Sequence, residues 1–132
     1  VLSNQDCYFI NLQYGDVKQE LELLKSETGL IVYNDQDICT FENLDGFAAQ
    51  VLALDLVISI DNTTAHIAGA LGQKVWTLLP HIPYWRWLQD VEDTLWYKNM
   101  RLFRQDRIGD WSKVFQQVSI SLQQNITGSR LS

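Results

Sequence analysis

Short apolar runs alternate along this chain with stretches whose apolar residues recur every three or four positions. Tyr8 to Leu12 reads as a first strand, closed by the turn Gln13-Tyr14-Gly15-Asp16. Asp16 is placed to cap a helix running to about Glu27, with Leu21, Leu23 and Leu24 as its apolar stripe and Gly29 as its left-handed end. Leu30 to Tyr33 predicts a second strand. Leu44, Phe47, Val51 and Leu54 predict a short helix over 44–54. Leu56 to Ile60 is nearly continuous apolar sequence, the pattern of a central strand in a parallel sheet covered on both faces. Lys74 to Leu79 predicts a further strand ended by Pro80, and Arg101 to Arg104 a short last one. A final helix is expected from Trp111 to about Gln124, capped by Asp110 and buried through Trp111, Val114, Phe115, Val118 and Leu122. The tail from Asn125 to Ser132 is polar and expected to fray.

Strands alternating with helices imply βαβ units, right-handed crossovers and a parallel sheet. The expected fold is α/β: a three-layer Rossmann-like domain with a mostly parallel sheet of about four to five strands and helices on both faces. All 132 residues are expected to form a single domain large enough to bury a core. The chain opens Val1-Leu2-Ser3 without an initiator Met, and we read it as a fragment of a longer protein.

The stretch from Asp55 to Gly72 organises this pattern. After the apolar run come Asp61, Asn62, Thr63 and Thr64, all residue types that cap helix N-termini. Gly72 sits where a left-handed residue would end the helix. A helix that starts at the carboxyl end of a parallel strand aims its unpaired N–H groups into the crevice where ligands bind. An ordinary well-capped strand–turn–helix unit accounts for the pattern equally well.

Charge sharpens the choice. The net charge of −6 argues against a nucleic-acid partner. It is unevenly spread: residues 1–60 carry two lysines against ten acids, whereas residues 61–132 carry eight basic residues against six acids. The half that holds the capped turn is the one able to receive an anion. Cys7 and Cys39 lack metal-ligand spacing and read as reduced cytosolic thiols. No apolar run is long enough to span a bilayer and no signal peptide is visible, so a cytoplasmic location is expected.

A diphosphate requires several N–H donors at short range, which a helix N-terminus supplies with a favourable dipole. The amides of Asn62, Thr63 and Thr64, with two threonine hydroxyls, form the candidate cradle. Asp61, at the strand tip, would repel a phosphate and suits a sugar hydroxyl or the turn itself. His66 lies one turn into the helix on the side of Asn62 and Thr63. Between His81 and Met100 the sequence is aromatic and irregular, with Tyr84, Trp85, Trp87, Trp96 and Tyr97 around Arg86 and Lys98. A connection this long is either functional or a flap whose tryptophans pack on the sheet edge.

These residues carry a resemblance. Asp55-Leu-Val-Ile-Ser-Ile-Asp-Asn-Thr-Thr-Ala-His-Ile-Ala-Gly-Ala-Leu-Gly-Gln-Lys-Val-Trp-Thr-Leu-Leu-Pro80 resembles the donor-binding half of two-Rossmann (B-type) glycosyltransferases. It is similar in particular to the heptosyltransferase-like group often fused to tetratricopeptide repeats in bacteria. The similarity continues through Tyr84 to Leu88, Trp96-Tyr97, Met100 to Gln105 and Gly109-Asp110-Trp111, and upstream through Phe9 to Asp16.

The resemblance implies that Asn62, Thr63 and Thr64 hold the diphosphate of a nucleotide sugar. Asp61 would contact the donor sugar or order the loop, His66 would support the site, and Gln13 would line the same cleft. Trp85 and Arg86 belong to the Trp85–Trp87 segment, which would cover the nucleotide or sugar. The implied reaction is metal-independent glycosyl transfer to a protein or saccharide acceptor, without a cofactor, the leaving diphosphate being stabilised by the helix terminus. The family's catalytic base lies in an acceptor domain absent from this sequence, and its donor domain begins one strand earlier. The chain is therefore expected to be an incomplete donor-binding portion, inactive alone, whose exposed sheet edge invites self-association. Two alternatives share the fold: a non-catalytic nucleotide-binding or interaction module, and a nucleotide-sugar epimerase or hydrolase. The latter would need carboxylates and a basic clamp drawn from Arg86, Lys98, Arg101 and Arg104.

Overall fold

A computed structural model describes residues 7–35, 37–38, 42–89 and 91–130, so Cys39 lies outside the described residues. The chain is α/β and divides into two compact units, one up to Phe47 and one from Ala48 onward.

In the first unit, β1 (Phe9–Ile10) pairs in parallel with β2 (Val32–Tyr33). Both strands are shorter than their apolar runs. The Asn11 N–H prolongs the pairing by donating to the Tyr33 carbonyl at 2.7 Å, and the Asn11 side-chain amide donates to Asn34 Oδ1 at 2.8 Å. Helix α1 (Lys18–Thr28) starts where Asp16 Oδ1 accepts the Lys18 N–H at 3.1 Å. It closes at Gly29, whose φ of 71° lets its N–H reach the Lys25 carbonyl. The inward face runs through Val17, Leu21 and Leu24, at spacings of four and three, and Leu23 is exposed instead of joining the stripe.

Helix α2 (Leu44–Leu52) is capped by Asn43, whose Oδ1 accepts the Gly46 N–H at 2.8 Å. Phe47 and Val51 are buried, Leu44 and Leu52 are exposed, and the helix stops before Leu54.

The second unit is built on β3 (Val57–Ile60), β4 (Val75–Leu79) and β5 (Met100–Arg104), all parallel in the order β3-β4-β5. Among the described residues β3 pairs with β4 alone, so the run at 56–60 forms an edge strand, not the central one it resembled. The central strand is β4, and all five of its side chains are buried. The difference is positional. A strand with neighbours on both sides has little surface left, whereas Ile58 and Ile60 of β3 remain 38% and 56% exposed.

Side-chain alternation sorts the sheet into two faces. Trp76, Leu78 and Phe103 point to one face and meet Val114, Val118 and Leu122 of α4 (Ser112–Arg130), with Leu56, Trp111 and Ile126 at the margin. Val57, Val75, Thr77, Leu79, Met100 and Leu102 occupy the other face and are equally buried. Helix α3 (Thr63–Ala70) packs against β3 and β4. The tail expected to fray continues α4 as far as Arg130, because Ile126 joins the cluster and Asn125 Oδ1 accepts from Lys74 Nζ at 2.6 Å. Phe115, rotated off the inward stripe, is exposed.

The outer edge of β5 is covered: the Leu102 N–H donates to the Glu92 carbonyl at 2.7 Å, and Asp93 forms an antiparallel bridge with Arg101. Among the described residues no helix is long and apolar enough to cross a membrane.

Candidate functional site

Parallel pairing in register brings the carboxyl ends of β3, β4 and β5 to one edge of the three-stranded sheet. There the chain leaves β3 through Asp61 and Asn62 and enters α3. Asn62 is extended (φ −148°, ψ −179°) and is the N-cap: its Oδ1 accepts the Ala65 N–H at 3.1 Å and the Ser59 hydroxyl at 2.9 Å. The His66 N–H closes onto the Asn62 carbonyl at 3.3 Å. The amides of Ala65 and His66 are thus used inside the turn, and those of Thr63 and Thr64 are the donors left at the helix start.

The far end of α3 is equally well determined. Leu71 is followed by Gly72 at φ 76°, and the Gly72 and Gln73 N–H groups return to the carbonyls of Gly69 (3.1 Å) and Ala68 (3.0 Å). The Gln73 side chain then donates to the carbonyls of Val51 and Leu54, tying the end of α3 to the segment before β3.

Asp61 and His66 face each other, with Nε2 3.4 Å from Asp61 Oδ1; the Asp61 side chain is only 11% exposed. The second imidazole nitrogen, Nδ1, lies 2.9 Å from the Tyr97 hydroxyl. Trp87 stacks on the imidazole at 5.3 Å between centroids and an interplanar angle of 20°, and Tyr97 meets it edge-on at 5.8 Å. His66 is therefore held on three sides, by a carboxylate, a hydroxyl and an indole. Tyr97 approaches α3 so closely that a Cβ built on Gly69 would sit 2.6 Å from its ring.

A second polar cluster forms where β4 and β5 end. Buried Gln105 accepts the N–H groups of His81 (3.2 Å) and Gly109 (3.3 Å) through Oε1, and its carbonyl lies 3.1 Å from His81 Nδ1. Its own N–H donates to the Leu79 carbonyl at 3.0 Å. Gln105 fixes the loops after both strands.

The aromatic connection divides in two. Trp87 is buried against His66, whereas Trp85 is 80% exposed and meets Trp96 edge-on at 6.4 Å. Arg86 places its guanidinium 5.0 Å from the centre of the Tyr84 ring, and its carbonyl accepts the Trp96 indole N–H at 2.9 Å. Arg104 donates to the Trp87 carbonyl at 3.2 Å, which anchors the segment to the end of β5.

Of the residues singled out in the sequence, Asp61, Asn62, Thr63, Thr64 and His66 thus form one continuous turn. Trp85 and Arg86 lie in the connection after β4, where Arg86 faces Tyr84 and Trp85 faces Trp96. Gln13 belongs to the other unit, exposed in a turn where its N–H donates to Asn11 Oδ1 at 3.1 Å.

Sequence reasoning passed over Gly69 and Tyr97 as site residues, and it placed Trp87 in the segment expected to cover a ligand, whereas Trp87 stacks on His66. Gly69 carried a signal, since glycine inside a helix is unfavourable and commonly marks a close approach. Apart from this edge, a cleft of about 230 Å3 lies between β5 and α4, lined by Glu92, Arg101, Ser121 and Gln124 among others. Among the described residues no three His, Cys, Asp or Glu side chains come together as a metal site.

No family model matches the chain, and no solved structure matches it. The chain is 34% identical over 122 residues to Protein FlbA of Caulobacter vibrioides. That match covers 92% of this chain and 20% of the relative, so the chain spans about a fifth of that protein's length.

Proposed function

We propose that the Asp61–His66 turn binds the diphosphate of a nucleotide sugar, and that the chain is the donor-binding portion of a cytoplasmic glycosyltransferase of the two-Rossmann kind. In this reading the two parallel sheets are parts of one Rossmann-like fold, and the acceptor and catalytic base belong to another part of the full protein. The observation that carries the proposal is the state of the α3 N-terminus. At the carboxyl edge of a parallel sheet, its cap is satisfied by Asn62 while the Thr63 and Thr64 amides stay available.

The geometry also divides the labour among these residues. Asn62 Oδ1 is committed to Ala65 and Ser59, so it shapes the cradle while its neighbours make the contacts. The Asp61 carboxylate would repel a phosphate, and its place beside His66 suits ordering the ring and receiving a sugar hydroxyl. The threonine amides and hydroxyls supply neutral donors aligned with the helix dipole, worth about 0.3–1 kcal/mol for an anion at an exposed terminus. Binding by the isolated chain is accordingly weak.

The test is a titration with UDP, GDP and ADP followed through backbone amide signals. Thr63, Thr64 and His66 respond first if the reading holds, and saturating nucleotide that leaves all three unmoved rejects it. Thr63→Pro gives the sharper version. Thr63 is the first helical residue, where proline is accepted without disrupting a helix, so the substitution deletes its amide and hydroxyl donors and keeps the fold. An affinity loss of about tenfold is expected, equivalent to about 1.4 kcal/mol.

A further inference from the structure

We propose that Tyr97 is the positioning residue of the turn: it sets the hydrogen-bonded state of His66 and pins the aromatic connection to α3. Four observations converge on it. Its hydroxyl lies 2.9 Å from His66 Nδ1. Its ring meets the imidazole edge-on. The same ring occupies the space that a side chain at Gly69 would fill. And the segment it anchors delivers Trp87 to a face of the His66 ring.

The proton arrangement follows from donor chemistry. A carboxylate only accepts, so the contact with Asp61 is favourable when His66 carries its proton on Nε2. In the neutral ring Nδ1 is then a bare acceptor, and the Tyr97 hydroxyl is the donor that satisfies it. In this tautomer the Nε2–H group faces the Asp61 carboxylate while Nδ1 accepts from the Tyr97 hydroxyl. The Gly69 position makes this arrangement possible, because the hydroxyl reaches Nδ1 only if the phenol ring lies flat against the helix backbone. Tyr97 and Trp87 also link the turn to the connection between β4 and β5. A ligand that reorients His66 therefore acts on the segment carrying the exposed pair Trp85 and Trp96.

The consequence for binding rests on the donor-site reading above, whereas the ring chemistry does not. The experiment keeps them apart. Nitrogen-15 correlation spectra of the two imidazoles, recorded well above the ordinary imidazole range at about pH 8.5, identify which nitrogen of His66 is protonated; His66→Gln assigns the signals against His81. The expected result is a bare, hydrogen-bonded Nδ1 in the parent protein. Tyr97→Phe, which keeps the ring and removes only the hydroxyl, should move that Nδ1 signal toward the value of an unbonded imidazole nitrogen while His81 stays in place. Gly69→Ala should do the same by displacing the intact tyrosine. A His66 protonated on Nδ1, or an Nδ1 signal unmoved by Tyr97→Phe, overturns the proposal. A ring that served packing alone would change the melting temperature and leave Nδ1 where it was.

A parallel titration with UDP and GDP reads the functional half. Tyr97→Phe is expected to weaken binding about fivefold, close to 1 kcal/mol. If the parent binds and the variant binds equally well, the coupling to the ligand is refuted. If neither binds but Nδ1 responds, the donor-site reading fails and the positioning role stands.

Discussion

β3 and β4 are adjacent, parallel and similarly apolar, yet they meet different fates. Leu56 to Ile60 looked like the more central of the two, but β4 has a strand on each side and buries every residue, while β3 leaves Ile58 and Ile60 in solvent. Apolar composition records that a strand contributes to a core. Its rank within the sheet depends on how many neighbours it has, which is a property of chain order and crossover. The lesson extends to the site. The edge strand is the one that ends in the polar turn, where Asn62 caps α3 and the Ala65 and His66 amides are bonded within the turn. The central strand ends at Pro80 and a loop that Gln105 braces through the His81 and Gly109 amides.

The widest contrast in stability should separate these two strands. Trp76→Ala removes a buried indole between Phe103 and α4 and should cost about 3–5 kcal/mol in chemical denaturation. Ile60→Ala, on a strand of like composition, should cost less than about 1 kcal/mol because over half of its surface already meets water. Equal losses at the two positions would mean that β3 is covered in solution.

Gly69→Ala comes next. The new methyl would lie 2.6 Å from the Tyr97 ring, and the strain of displacing it should cost about 1–3 kcal/mol. Added helix propensity would offset only part of this, since alanine exceeds glycine by about 1 kcal/mol in a helix interior. A stabilised variant would show that Tyr97 does not rest on α3.

Thr77→Val tests the opposite sign. The Thr77 side chain lies in the middle of β4, fully buried, and its hydroxyl has no hydrogen-bond partner among the described residues. Replacing it with a methyl of similar shape should stabilise the unit by about 1 kcal/mol. A loss of stability would reveal a partner for the hydroxyl.

The smallest expected effect is electrostatic. Asp110 accepts the Ser112 backbone N–H at 3.0 Å, and this bond, together with the Ser112 hydroxyl, lowers its carboxyl below the ordinary aspartate value. A group whose folded value is lowered stabilises the fold above its unfolded value, about 3.9. That contribution is lost as pH falls through the still lower folded value. Asp110→Asn should flatten this acid limb in melting curves taken from about pH 2 to 6 and change little at neutral pH. An acid limb of unchanged slope in the variant would move the effect to other carboxylates.

The elements were legible because their signals are local. Gly29 and Gly72 ended their helices where expected, Asp16 and Asp110 accepted the first-turn amides, and the stripe Val114, Val118 and Leu122 was buried as its spacing required. Errors fell where an apolar residue was assigned to the buried face before its neighbours in the fold were known. Leu23 and Phe115 are apolar but rotated away from their helices' inward lines, Leu44 shares the face of Phe47 but is exposed at the first turn of α2, and Ile126 extended α4 by joining a core that its polar neighbours concealed.

The turn from Asp61 to His66 was readable by itself, since a cap requires only residues adjacent in sequence. The sequence by itself therefore determined the alternation of strands and helices, the ends of most helices, and the presence of an N-terminal helix turn rich in donors. The tertiary structure alone decided that β4 is central, that Trp87 and Tyr97 reach His66 from the connection between β4 and β5, and that a side chain at Gly69 would meet an aromatic ring. Local patterns follow from hydrogen bonding and helical or strand periodicity over a few residues. Neighbour number and long-range side-chain contacts come into being only when the chain has closed on itself.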